Sequence, residues 1–223
     1  MNEILYNLQE LNISVFHFFN KIFGQQLFNK VVIFADKFGG PHVFHYHLLL
    51  IIVIASIMLY HKKNTKNDLK ELTILGFSAL CTLFLSIILN LVIITDLLKD
   101  LTSLNRPYCD LKDIYTLPEV INNTSCKRGF PSGHMAFSVI MVTSFWPLLN
   151  KAFKVISIIT LITIGITRIS SGAHYPVDLL GAIIICLPLT LYIAKKTNYY
   201  IKIYEKRWKA FDYLYNKIFY KKG

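Results

Sequence analysis

The chain has 223 residues, of which 54% are hydrophobic and only 17% charged. With a mean hydropathy of +0.46, this composition excludes an ordinary soluble domain and describes a polytopic membrane protein with room for one helical domain. The net charge of +11 does not point to nucleic acid, because the basic residues collect between and after the apolar runs, where they act as topology signals and attract anionic headgroups.

Residues 1–42 mix apolar residues with Asn20, Lys21, Gln25, Gln26, Asn29 and Lys30. That stretch is too polar to span, and it predicts amphipathic helices lying in the outer interface. It lacks the basic start, short apolar core and small-residue site of a cleavable signal. Five apolar runs follow, near 43–60, 73–95, 134–150, 155–170 and 178–194, each predicted to cross the bilayer. They must do so as helices, because hydrocarbon offers no partner for the backbone groups of strands or open loops. After Ala194, Lys202, Lys206, Arg207, Lys209 and Lys217 alternate with aromatic residues, which predicts a basic amphipathic tail on an anionic inner leaflet. The expected fold is therefore an all-α membrane bundle of about five transmembrane helices with interfacial helices at both ends. It divides into an N-terminal segment (1–42), a transmembrane core (43–194) and a tail (195–223).

Lysines in 61–71, Lys151 with Lys154, and Lys195 with Lys196 all fall on one side of this arrangement. The positive-inside rule makes that side cytoplasmic. Three polar blocks, 99–107, 131–134 and 168–178, fall on the opposite side, so the active face is predicted to be extracytoplasmic in an inner (plasma) membrane. Lys112, Lys127 and Arg128 in the long outer loop are read as solvated charge.

In the first block, Lys99 and Arg106 lie seven residues apart, about two helical turns, so a helix would point both the same way before Pro107 stops it. An Arg fork and a Lys point charge suit phosphoryl oxygens, although a basic pair at a helix end is more often an interface anchor. The second block, Pro131-Ser132-Gly133-His134, precedes the third span and offers free backbone N–H groups at a helix N-terminus to an anion within reach of His134. In the third block, Arg168 is a costly charge near the end of an apolar span. Pro176 starts the next helix and puts Asp178 in its first turn, four residues after His174. Asp178 can take the proton of one imidazole nitrogen and leave the other nucleophilic, or it can simply cap the helix.

Jointly, Lys99, Arg106-Pro107, Pro131-Ser132-Gly133-His134 and Arg168, His174, Asp178 resemble the three-part signature of the type 2 phosphatidic acid phosphatase superfamily over roughly residues 75–190. Thr167 departs from the Ser usual before the Arg but keeps a hydroxyl. Many members also have an additional span before the interfacial N-terminal region.

The resemblance implies a lipid phosphate phosphohydrolase in which His174 attacks phosphorus to form a phosphohistidine. Asp178 would orient its imidazole, and His134 would protonate the leaving oxygen and then activate water. Lys99, Arg106, Ser132, Gly133 and Arg168 would hold the phosphoryl group. No metal or other cofactor is implied. The expected partners are the bilayer and a membrane lipid phosphate: undecaprenyl diphosphate, lipid A, phosphatidylglycerophosphate or phosphatidic acid. Two alternatives stand beside this reading: a transporter or binding protein that holds lipid phosphate without cleaving it, and a vanadium-dependent haloperoxidase.

His42, His45 and His47 crowd the expected outer start of the first span and read as headgroup-level side chains rather than a metal site. Cys81 and Cys186 read as small core residues. Cys109 and Cys126 share the outer loop, where an oxidising compartment would join them in a disulfide; free thiols would contradict the orientation.

Overall fold

The computed structural model describes residues 2–24, 30, 33–34 and 66–219. Among these residues every regular element is helical. The chain runs α1 (Asn2–Phe23), α2 (Lys66–Ser86), a π-helical stretch (Ile87–Thr95), α3 (Asp96–Thr102), and two short helices, α4 (Pro107–Asp110) and α5 (Pro118–Asn123), within the long loop 103–132. It continues with α6 (Gly133–Phe145), a 3₁₀ turn (Trp146–Leu148), α7 (Lys151–Ser170) and α8 (Pro176–Phe219). The run expected at 43–60, with His42, His45 and His47, lies outside the described residues.

α6 is the central pillar. Met135, Ala136, Phe137, Val139, Ile140 and Phe145 are all buried, because α2, α7 and α8 pack around it. Ala79 and Leu83 of α2, Ile169 of α7, and Leu179, Ala182 and Cys186 of α8 complete the same core. Small residues let the helices approach: a Cβ on Gly165 of α7 would stand 3.1 Å from Cε of Met135. Close van der Waals contact of this kind drives helix association where lipid is as apolar as the side chains.

The outward faces are apolar too. α7 exposes Val155, Ile156, Ile159 and Ile162; α8 exposes Leu180, Ile184 and Leu191; α2 exposes Phe77 and Phe84. Water would penalise such a band by about 25 cal/mol for each Å² left uncovered, whereas hydrocarbon does not. Two of these helices, α7 and the first part of α8 as far as Tyr204, are long and apolar enough to cross a bilayer. The chain is a membrane protein.

The helix ends differ from the sequence expectation in instructive ways. α7 starts four residues before the predicted span, because the Asn150 side chain accepts from the Phe153 backbone N–H at 2.9 Å and caps it. α6 ends early at a turn containing Pro147. The run expected at 73–95 begins earlier, at Lys66, and changes to π-helical geometry over 87–95 before α3. The span expected at 178–194 and the tail beyond it form one continuous helix. The part beyond Ala194 has a partner in α2, where the Ser78 hydroxyl donates to Oδ1 of Asn198.

Candidate active site

The site forms where α3, α6, α7 and α8 end on one side of the bundle, and each end is set by local chemistry. At the C-terminus of α7 the last carbonyls need partners outside the helix. Ser171 N–H donates to Thr167 O (3.0 Å), Gly172 N–H to Ile169 O (3.0 Å) and His174 N–H to Arg168 O (3.2 Å). Gly172 sits at φ +75°, and a Cβ there would also meet Oγ1 of Thr116 at 2.7 Å, so glycine is required twice over. The chain thus reverses within a few residues.

α8 then starts at Pro176, in a first-turn position where the missing N–H costs nothing. Asp178 reaches back from the first turn: its Oδ2 accepts from the Tyr175 backbone N–H at 2.9 Å and pairs with Nδ1 of His174 at 3.2 Å. One carboxylate therefore caps the helix and orients the imidazole, so the capping and the orienting roles raised from the sequence coexist. His174 and Asp178 are both buried, each 2% exposed.

The other imidazole nitrogen meets Arg106. Nη1 of Arg106 lies 3.1 Å from Nε2 of His174. A guanidinium can only donate, so Nε2 is the accepting nitrogen and Nδ1 carries the proton given to Asp178. Arg106 also donates to Ala173 O (3.0 Å), Ser125 O (3.1 Å) and Arg128 O (3.3 Å). It is a staple between the long loop 103–132 and the His174 loop as well as a cation.

Its delivery differs from the helical spacing read in the sequence. The helix bearing Lys99 ends at Thr102, Ser103 takes a left-handed conformation, and Arg106 stands on extended backbone before α4. Lys99 reaches the site separately: Nζ would stand 3.2 Å from a Cβ on Gly133 and lies 3.7 Å from Oδ1 of Asp96. Burial lowers the pKa of Lys99, and Arg106 and Arg128 push the same way against Asp96.

Ser132 is the N-cap of α6, and its backbone N–H donates to Asp178 O at 3.1 Å, tying the second block to the third. Its hydroxyl is fully buried and makes no hydrogen bond with the protein. Such an atom calls for a polar guest. Gly133 and His134 form the first turn of α6, at the end of the helix where backbone N–H groups favour an anion. Arg168, 2% exposed, sits near the end of α7, while the Thr167 hydroxyl turns back to Ile164 O at 2.8 Å. Burial holds the His174 pKa well below its ordinary value, and the positive charges of Arg106, Arg168, His134 and Lys99 push it further down. All eight site residues named from the sequence are therefore gathered at one place.

Cys109 and Cys126 are joined by a disulfide in the long loop between α3 and α6. Beside it, the Arg106 N–H donates to Cys126 O at 2.9 Å, and Arg128 pairs with Asp96 and Asp100 at 3.3 and 3.2 Å. Nothing in the sequence pattern assigns a residue of α1 to the site. Yet Asn12, Phe16 and Asn20, four residues apart on one stripe, all touch its frame. Only the i, i+4 spacing of two Asn around a Phe could have hinted at it.

A sequence-family profile described as PAP2 superfamily matches residues 79–202, more than half of the chain. The chain belongs to the PAP2 superfamily, and that membership supports a phosphatase. A search of curated proteins finds no significant match. Among solved structures, LpxE of Aquifex aeolicus shares 20% identity with a TM-score of 0.61, covering 83% of this chain and 95% of that one, which shows a common fold. A transmembrane PAP2-type phosphatidylglycerolphosphate phosphatase of Bacillus subtilis, also 20% identical, has a TM-score of 0.47 over 90% of this chain and 87% of that one.

Proposed function

We propose that the protein is an integral membrane phosphohydrolase that removes phosphate from a membrane lipid through a phosphohistidine on His174. The observation that carries this reading is an imidazole held at both nitrogens, by Asp178 on Nδ1 and by Arg106 on Nε2, among further positive groups. A neutral His with its Nδ1 proton engaged is the nucleophilic tautomer, and the depressed pKa keeps it neutral.

In the first step the Arg106 guanidinium passes from Nε2 to the phosphoryl oxygens. Nε2 attacks phosphorus, the bond from phosphorus to the leaving oxygen breaks, and protonated His134 supplies that oxygen with its proton. In the second step water attacks phosphorus, its proton goes to His134, and the P–N bond breaks to return neutral His174 and free phosphate. Lys99, Arg106, Arg168, the Ser132 hydroxyl and the Gly133 N–H stabilise the charge that develops on the equatorial oxygens. The donor set is cationic where the phosphate would sit, so neutralisation needs no metal, which favours a metal-independent reaction.

The substrate is an amphiphile whose phosphate or diphosphate enters the cup while its chains stay in lipid: undecaprenyl diphosphate, lipid A, phosphatidylglycerophosphate or phosphatidic acid. The apolar outward faces of α7 and α8, the helices that bear Arg168 and Asp178, favour such a ligand over a soluble phosphate ester. The charge pattern of the loops favours an extracytoplasmic site in the plasma membrane, with α1 in the outer interface, where its stripe of Leu11, Phe18 and Ile22 is exposed.

The test is phosphate release from those four lipids by purified protein in detergent with EDTA present. Release by the wild type and its loss in His174→Ala is expected. Release by His174→Ala would overturn His174 as the nucleophile, no release from any of the four lipids by the wild type would leave a lipid-phosphate binder or transporter as the better description, and loss with EDTA would overturn metal independence.

A further inference from the structure

α1 lies along the outer ends of α7 and α8, and three residues on one of its stripes grip the loop that carries His174. Asn20 is 4% exposed and uses both of its donors and its acceptor. Nδ2 donates to Ser170 O at 3.0 Å and to Tyr115 O at 2.8 Å, while Oδ1 accepts from the Tyr115 N–H at 3.0 Å. Two carbonyls on one atom and an N–H on the other fix the amide's orientation. Ser170 O is a terminal carbonyl of α7, adjoining those that partner Ser171, Gly172 and His174. Tyr115 neighbours Thr116, against which Gly172 is packed.

Two turns earlier on α1, Oδ1 of Asn12 accepts from the Val177 N–H at 3.0 Å, one of the free donors opening α8. Between the two, Phe16 is fully buried against Tyr175, with ring centroids 5.6 Å apart. The loop 171–175 is thus bracketed from both of its helices by a single neighbouring helix.

We propose that Asn20 is a positioning residue for the reaction: by bonding the end of α7 and the outer loop together, it sets the placement of the loop from which His174 reaches phosphorus. This rests on the phosphohistidine reading above. Asn20 touches no reacting atom and acts through Ser170 and Tyr115. An error of about 1 Å at a nucleophile is enough to lose about 10²-fold in rate. A loosened loop would also admit water to His174, which faces Arg106, Arg168, His134, Lys99 and Asp178, and would relax its pKa upward.

The experiment compares full-length wild type, Asn20→Ala, Asn20→Gln, Phe18→Leu on the exposed face of α1, and His174→Ala. The probe is whichever of undecaprenyl diphosphate, phosphatidic acid and phosphatidylglycerophosphate the wild type turns over fastest in detergent. For Asn20→Ala the expectation is kcat lowered about 10–100-fold, KM within about threefold, and the acid limb of kcat/KM moved up by about one pH unit. Asn20→Gln should recover part of the rate, and Phe18→Leu should match the wild type.

A folded Asn20→Ala with kcat and acid limb within about twofold and about 0.3 unit of wild type overturns the proposal, as does a loss confined to KM. Should Asn20→Ala not purify as a folded protein, Asn20→Asp decides with the same readouts, since it keeps the acceptor for Tyr115 and drops both donors. Activity in His174→Ala refutes the phosphohistidine reading itself. A dead His174→Ala beside an unaffected Asn20→Ala refutes only the positioning role.

Discussion

Two loops meet at the His174 imidazole, and they are built on opposite plans. The short one, 171–175, is almost entirely helix end: its backbone groups complete the C-terminus of α7, and Asp178 in the first turn of α8 ties it off. The long one, 103–132, has little helix to lean on and is held by a disulfide, the Arg106 N–H to Cys126, and the ion pairs of Arg128. Geometry that the short loop inherits from its helices has to be assembled in the long loop by contacts distant in sequence. Arg106 joins the two through Ala173 O and Nε2 of His174.

The largest effects should come from the short loop. His174→Ala is expected to lower kcat by about 10⁴-fold or more, and Asp178→Asn by about 10²–10⁴-fold, since an amide can impose the wrong tautomer on His174; steady-state phosphate release measures both. Arg106→Lys should follow, losing about 10²-fold in kcat/KM because a point charge cannot hold three carbonyls and a phosphoryl oxygen at once. An Arg106→Lys enzyme as active as the wild type would mean that the two loops meet without needing the staple.

Gly172→Ala sharpens the comparison on the structural side. A left-handed φ and a close Thr116 contact should cost about 1–3 kcal/mol, seen as a lower melting temperature in detergent. Reducing or removing the Cys109–Cys126 link should cost about 3 kcal/mol and raise KM more than it lowers kcat, because it loosens Arg106 and leaves His174 in place. Equal loss of kcat would show that the long loop also supports the nucleophile.

The smallest effect is on pH dependence. His174 is held neutral when folded and takes up a proton near its ordinary pKa when unfolded. The unfolded chain therefore binds more protons just below pH 6.5, and this group's share of stability falls as pH drops through that range. His174→Gln should flatten that decline in a melting series from pH 7 to 5.

The same contrast explains what could be read in the sequence. His174, Asp178 and Pro176 were legible because helix geometry fixes their spacing, and Ser132-Gly133 because an N-terminus must expose its N–H groups. Lys99 and Arg106 were legible as charges but not as geometry: the chain leaves the helix at Ser103, so a two-turn spacing describes neither side chain's path. The tail was legible as a helix but not its continuity with the span, since the contact of α2 with this part of α8, through Ser78 and Asn198, joins residues 120 apart in sequence. Asn20 reads in the sequence as part of the polar side of an interfacial helix, and Asn12 carries no signal of its own. Nothing local distinguishes an Asn facing water from one facing carbonyls 95 and 150 residues away.

The most direct test is to quench the purified enzyme within milliseconds of mixing it with a ³²P-labelled lipid phosphate and to map the labelled peptide. A label on His174 that survives alkali, is lost in acid, and is absent from His174→Ala is the predicted result. Full turnover with label on another residue, or with phosphate release unchanged in His174→Ala, would contradict it.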